Sequence, residues 1–247
     1  MSPSMDKDAA ASEPALFDEY ADDYEAACHR GLVLSGESRD YFATQRVLHT
    51  ARWVREMGVV TVPSVLDFGC GVGHSIPHFR EQYPEAEILG LDVSTASVAQ
   101  ATRLYGGPQV RFAAVDAEQQ PMKQTLAYCN GVFHHIAPEK RLQQVQRIRD
   151  LLQPGGLFAF WENNPWNPGT RWVMSRIPFD HDAITLTPPE ARRLLAAGGL
   201  EVLGTRYHFY FPRLLAWLRS LERYAVRWPL GAQYCVLARK PFTEVMA

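Results

Sequence analysis

A chain of 247 residues is long enough for one large domain, or for a domain with a cap. Its 47% hydrophobic and 21% charged residues suit a soluble globular protein, and a formal net charge of −2 gives no electrostatic reason to expect nucleic acid. Cys28, Cys70, Cys129 and Cys235 form no C-x-x-C pair, which argues for free thiols in a reducing cytoplasm rather than a disulfide frame or a zinc site.

No signal peptide or apolar run of membrane-spanning length is visible. Residues 1–13 are small and polar and read as a disordered tail. Residues 14–58 read as an N-terminal helical lid. Within them Phe17, Tyr20, Ala21 and Tyr24 recur at helical spacing, which fits either a helix resting on the core or aromatics closing over a ligand. Ser38 can cap a helix running to Met57, with Val47, Ala51, Val54 and Met57 on one face and Gly58 as its stop. Residues 59–247 form the main domain, with inserted cap segments at 163–186 and 209–228.

Pro63 introduces a first strand, Val65-Leu66-Asp67-Phe68, which turns over Gly69-Cys70-Gly71-Val72-Gly73 into a helix ending at Pro84. Such a turn lets a ligand approach with no Cβ in the way. A phosphate-binding Walker loop would need Lys after the last glycine, where this chain has His74. A dinucleotide site would space its glycines G-x-G-x-x-G and would rarely want a carboxylate such as Asp67 beside the pyrophosphate. A carboxylate suits a cationic ligand.

The second strand, Ala86 to Asp92, ends in an acid about twenty residues past the glycines, where a ribose-binding carboxylate belongs. Ser94 caps the next helix, and Gln109 to Val115 is a third strand ending at Asp116-Ala117. Leu126 to Gly131 is a fourth strand, followed by His134-His135-Ile136 and by a helix opened by Pro138 with Leu142, Val145, Ile148 and Leu152 on one face. Pro154-Gly155-Gly156 turns into a fifth strand, Leu157 to Trp161, which runs into Glu162-Asn163-Asn164. Strands and helices alternate, so the sheet is mostly parallel and covered on both faces. Asp67, Asp92, Asp116, Asn130, His135 and Glu162 all fall at strand carboxyl ends, where such sheets take ligands.

Residues 163–186 are irregular and rich in Pro, Trp and Phe, as functional loops often are. Thr187-Pro188-Pro189-Glu190 starts a helix that stops at Gly198-Gly199, and Leu200 to Tyr207 is a sixth strand. Pro212 to Trp228 reads as an amphipathic helix with Leu214, Trp217, Leu218, Leu221, Tyr224 and Trp228 on one side and Arg219, Arg223 and Arg227 recurring. Packing down as a lid is the expectation, and contact with a membrane surface the alternative. Gln233 to Arg239 is the last strand.

So placed, the chain resembles the class I S-adenosylmethionine-dependent methyltransferases, and more narrowly their small-molecule branch of the ubiquinone/menaquinone-biosynthesis type. The resemblance covers roughly residues 20–240. It is carried by Asp67-x-Gly69-x-Gly71-x-Gly73, the acid Asp92, Asp116-Ala117, His134-His135-Ile136 and Leu152-Gln153-Pro154-Gly155-Gly156. It implies an α/β, Rossmann-like seven-stranded sheet, six strands parallel and the last antiparallel, with helices on both faces and a helical, aromatic cap.

The resemblance also implies roles. Gly69 and Gly71 pass under the methionine part of S-adenosylmethionine, with Asp67 near its ammonium, and Cys70 and Gly73 belong to the same cofactor-binding turn. Asp92 takes the ribose hydroxyls and Val93 packs on the adenine. Asp116 accepts from the adenine amino group and the Ala117 N–H donates to the ring. The Asn130 backbone carbonyl lines the sulfonium side, while Tyr20 and Tyr24 cover the methionine end. The product would be S-adenosylhomocysteine. Relatives often carry an acid early in strand four, where this chain has Ala127-Tyr128-Cys129, so no metal is expected.

The expected partner is a small, largely apolar or aromatic acceptor methylated on O, N or C. A membrane-surface quinone or lipid methyltransferase, and a methyltransferase-like protein with non-methylating chemistry, remain alternatives. His135 is a candidate base because imidazole titrates near neutrality, and a structural turn residue is its alternative. Glu162, beside Trp161, would take a proton or stabilise a developing cation, unless backbone N–H groups satisfy it. Trp161, Trp166, Trp172, Phe179 and Tyr210 would wall an acceptor pocket or fill the core. Asn163-Asn164-Pro165-Trp166 resembles the motif of enzymes that clasp a flipped base, but follows strand five and lacks the second proline.

Overall fold

The structure, a computed structural model, describes residues 35–115, 123–176 and 183–242. A seven-stranded sheet organises them: β1 (Ser64–Phe68), β2 (Glu87–Asp92), β3 (Val110–Ala114), β4 (Gln124–Asn130), β5 (Leu152–Asn163), β6 (Glu201–His208) and β7 (Gln233–Arg239), in the spatial order β3-β2-β1-β4-β5-β7-β6. β7 runs antiparallel to β5 and β6, and the other pairings are parallel. The expected architecture is therefore present.

Alternation along the strands builds two cores. Leu66, Phe68, Cys129, Phe158 and Phe160 face Val145 and Ile148 of α4 (Pro138–Leu151) and Ala191 and Leu195 of α6 (Pro188–Ala197). On the other face Val65, Leu126, Tyr128 and Trp161 meet Val47, Ala51 and Val54 of α1 (Arg39–Glu56), with Ile76 and Phe79 of α2 (Ile76–Gln82). α3 (Thr95–Tyr105) buries Ala101. The caps read from sequence hold: Tyr41 N–H donates to Ser38 Oγ at 3.0 Å, Ser97 N–H to Ser94 Oγ at 3.1 Å, and Thr187 with Glu190 forms a capping box.

Four expectations need correction. α1 is a structural layer over the sheet, so residues 39–56 are not a lid, and Met57 lies half-exposed beyond the helix. β5 starts at Leu152 directly after α4: Pro154-Gly155-Gly156 is a bulge inside the strand, seen as a register shift against β4, with Gly155 N–H bonded to Lys240 O. Part of the irregular stretch is α5 (Pro168–Met174), capped by Asn167 Oδ1 on Thr170 N–H.

The fourth correction is the largest. Residues 212–228 do not form one helix packed down as a lid. They form a 3₁₀ segment (Arg213–Leu221), kinked at Leu215, then one turn, α7 (Glu222–Ala225). Side chains tie this segment back to the end of β6. The Glu222 carboxylate accepts the Tyr210 and Phe211 N–H groups, the Tyr210 hydroxyl donates to Ala225 O and Trp228 O, and Arg219 Nε donates to Phe211 O. A straight α-helix over the stretch would break these bonds.

Candidate functional site

Strand order reverses between β1 and β4, and open α/β sheets take ligands at the carboxyl edge beside such a reversal. There β1 delivers Asp67 and the glycine turn. Gly69, Gly71 and Gly73 are all left-handed, at φ 75°, 52° and 87°. A Cβ on Gly69 would lie 2.2 Å from Val132 Cγ2, and one on Gly73 2.8 Å from the Tyr105 ring, whereas one on Gly71 meets nothing within 4 Å. Gly71 thus bares backbone to open space, while its neighbours are glycine for packing. Gly69→Ala is expected to destabilise the fold by about 2–3 kcal/mol through strain and the Val132 clash. Gly71→Ala should cost about 1 kcal/mol of stability and act mainly on ligand affinity. Denaturant unfolding of both variants checks the contrast.

Four of the turn's N–H groups are spent inside the fold. Gly69 and Cys70 donate to Leu91 O at 2.7 and 3.0 Å, Gly71 to Asp92 Oδ2 at 2.7 Å, and Gly73 to Cys70 O at 3.0 Å. A phosphate cradle aims such groups at its ligand, so this turn is not one. Asp92 Oδ1 also accepts the Ser94 N–H at 2.9 Å, which fixes the carboxylate at the tip of β2. Beside it Val93 is apolar yet 45% exposed, a surface suited to a flat ring. The buried Cys70 thiol has its pKa pushed well up by burial and the nearby carboxylates, which leaves it inert.

Asp67 is buried, and its Oδ2 has no hydrogen-bond partner among the described residues. Burial, and secondarily the Asp92 charge, lift its pKa to about 7 against the lowering pull of Arg46. The Oδ1 of Asn130, at the end of β4, is likewise buried without a partner. Arg46 escaped the sequence reading. It reaches from α1 to donate to Gln233 Oε1 at 3.1 Å, and its Nε is buried without a partner among the described residues. The signal was available, since Arg46 falls on the same helix face as Ala43, Val47, Thr50 and Val54, where a cation needs a reason. Partnerless buried polar atoms of opposite charge, clustered at one edge, call for a polar ligand with both signs.

Glu162 takes the structural alternative. Its Oε1 accepts the Phe133 N–H at 2.8 Å and its Oε2 pairs with His134 Nδ1 at 2.6 Å, all buried. Hence His134 is the imidazole that packs. His135 is half-buried on the same loop, its ring 4.1 Å from that of His134. Trp161 is not a pocket wall. It is core, 1% exposed, with its Nε1–H donated to Thr50 Oγ1 at 2.9 Å. Trp166 and Trp172 sit on the surface, with the Arg176 guanidinium over Trp172, and the Tyr210 hydroxyl is consumed by backbone carbonyls. Tyr20, Tyr24, Asp116, Ala117 and Phe179 lie outside the described residues.

An aromatic group closes the far end of this edge. Phe209, just past β6, holds φ 64°, a strained value for a bulky residue, with its ring 5.0 Å from that of Phe42. His208 stacks on His49 at 4.3 Å and on Trp161 at 4.9 Å. Burial, then neighbouring positive charge, lowers the His49 pKa to about 4, so this imidazole is neutral near pH 7. Among the described residues no group of three or more His, Cys, Asp or Glu is placed to hold a metal ion.

Residues 65–156 match the family model described as a methyltransferase domain. Trans-aconitate 2-methyltransferase of Methylobacterium nodulans is 30% identical over 159 residues, 63% of this chain and 57% of that protein. The chain spans only about a third to just over half of such curated relatives, 57%, 44% and 36% in three of them. Magnesium protoporphyrin IX methyltransferase of Synechocystis PCC 6803, solved with S-adenosylmethionine bound, has the same fold at TM-score 0.60 and 17% identity, covering 95% of this chain and 100% of that one. The [4+2]-cyclase SpnF shares the fold at TM-score 0.56 and 20% identity, covering 79% and 81%. Together these findings give residues 65–156 a methyltransferase-domain match, on the fold seen in class I S-adenosylmethionine-dependent methyltransferases. Within that class the curated relative named here is a trans-aconitate methyltransferase rather than a quinone-biosynthesis enzyme.

Proposed function

We propose that the protein binds S-adenosylmethionine at the glycine turn and transfers its methyl group to a small, largely apolar or aromatic acceptor. One observation carries the cofactor reading. At the β1–β4 edge the Gly69, Cys70, Gly71 and Gly73 N–H groups are spent, while Asp67 Oδ2 and Arg46 Nε stand buried without partners among the described residues. That pattern rejects a phosphate and fits a zwitterion, with Asp67 for the ammonium and Arg46 for the carboxylate of the methionine part. Asp92 would hold the ribose hydroxyls, since a carboxylate accepts up to about four bonds, and Val93 would support the adenine. Tyr20, Tyr24, Asp116 and Ala117 keep the roles that the resemblance implies.

When bound, the cofactor supplies a methyl group on a good sulfonium leaving group, so catalysis rests mostly on alignment and exclusion of water. The chain's part is to fix both ends of the methionine moiety and to hold the acceptor in line. His135 is the candidate to take a proton where the acceptor must lose one. Glu162 positions the loop that carries it. The aromatic group around Phe42 and Phe209 gives the acceptor side an apolar character.

Calorimetric titration with S-adenosylmethionine tests the reading. Binding is expected in the wild type and weakened about 100-fold or more in Asp92→Ala, equivalent to losing two charge-assisted hydrogen bonds. No binding by the wild type would overturn it. Binding without methyl transfer to any phenol, isoprenoid or small carboxylic acid would move the protein to non-methylating chemistry, as the cyclase relative shows this fold can host.

A further inference from the structure

The segment after β6 leaves its apolar side bare. Leu214 and Trp217 are 88% and 75% exposed, and Leu221, Tyr224, Trp228 and Leu230 are exposed with them. Exposed apolar residues so concentrated mark an interaction surface. The kinked segment is also held open by design of its tethers. The Glu222 carboxylate and the Tyr210 hydroxyl bind it to the end of β6 through backbone groups, so the apolar side chains are presented outward rather than folded in.

Charge identifies the occupant. Residues 212–228 carry Arg213, Arg219, Arg223 and Arg227 against the single acid Glu222, in a chain whose formal net charge is −2. Glu222 is turned inward onto N–H groups, and Arg219 onto Glu37 at 2.9 Å, whereas Arg213, Arg223 and Arg227 are exposed among the apolar residues. Tryptophan, tyrosine and leucine interleaved with arginine form the composition that settles into the headgroup region of an anionic bilayer, rings at the interface and guanidinium groups on phosphate. No helix among the described residues is long and apolar enough to cross a membrane, so the contact would be peripheral.

We propose that this face, centred on Trp217 and Trp228, docks the protein on an anionic phospholipid surface. β6 runs parallel to β1, so the face adjoins the sheet edge that carries the cofactor site, and docking would let a membrane-dissolved apolar acceptor enter there. Only that last purpose rests on the methyltransferase reading; the docking does not. A competing occupant is the chain's own acid-rich stretch, Asp18, Glu19, Asp22, Asp23 and Glu25, whose charge also complements the arginines.

The full chain is to be sedimented with vesicles of phosphatidylcholine, with and without phosphatidylglycerol, while its tryptophan emission is followed. Expected are binding that requires phosphatidylglycerol and falls with salt, a blue shift, and at least about tenfold weaker binding in Trp217→Ala/Trp228→Ala and in Arg223→Gln/Arg227→Gln. Urea unfolding midpoints of the same variants, unchanged from wild type, show that they are folded. Failure of the full chain to bind either vesicle, as when the acidic stretch covers the face, overturns the proposal. So does binding that the substitutions leave unaltered.

Discussion

Glu162→Ala is expected to lower the stability of the fold by about 3–5 kcal/mol, because it strips a buried polar network of its acceptor. The carboxylate is 1% exposed and serves two donors, the Phe133 N–H at 2.8 Å and His134 at 2.6 Å. The His134 carbonyl in turn accepts the Ile184 N–H at 2.9 Å, and Arg141 bridges Ile136 O and Ile184 O at 2.8 and 2.5 Å. One side chain at the end of β5 therefore sets the course of the loop after β4 and of the chain near residue 184. Removing it leaves a cavity and two unsatisfied buried groups. Glu162→Gln keeps the shape and one acceptor, and should lose roughly 1–2 kcal/mol. Urea midpoints of both variants check the ranking. Glu162 lies off the glycine turn, so methyl transfer should fall further than cofactor affinity; equal falls would give Glu162 a direct part in the cofactor site.

Much of this was legible in the sequence because it depends on local rules. Val65 to Gly73 had to be a strand turning sharply, since three glycines at alternate positions only make sense where φ is positive. Asp92 was placed by counting along a strand–helix–strand unit. What local rules cannot show is direction across the fold. Trp161 and Trp166 look alike in sequence, yet strand alternation sends Trp161 under α1 while Trp166 stays on the surface. Arg46 sits about twenty residues before Asp67, and only packing of α1 against the sheet brings it to the same edge. Residues 212–228 had a helical hydrophobic period, but long-range bonds from Tyr210 and Glu222 bent them into a tighter coil. Periodicity showed an apolar side and could not show that nothing among the described residues packs on it.

Asp67 gives the site a pH dependence whose sign is fixed by its surroundings. Its pKa in the folded chain is about 7, against an ordinary 3.8. Below the ordinary value the carboxyl is protonated in both the folded and unfolded states, and burial costs nothing. Between about pH 4 and pH 7 the unfolded chain ionises first, so the ligand-free protein loses stability as pH rises, by on the order of 4 kcal/mol. Above about 7 both states are ionised and the curve is flat. Asp67→Asn should abolish this slope, as denaturation at about pH 5 and pH 8 would show. The cofactor reverses the preference. A bound ammonium favours the ionised carboxylate, so binding must expel the proton. Affinity for S-adenosylmethionine should then rise by up to about tenfold per pH unit below 7 and level off above it, until the ligand's own amine deprotonates. In Asp67→Asn the affinity should be weaker and level across that range. A wild-type affinity indifferent to pH would mean that Asp67 does not meet the ammonium. Arg46 supplies the matching control, since Arg46→Ala should weaken binding by about 10- to 100-fold through the lost carboxylate partner. It should also lift the Asp67 pKa further, because the guanidinium is the charge now holding it down. The onset of binding would then move to higher pH in Arg46→Ala. This shift separates a shared zwitterion clamp from two unrelated charges.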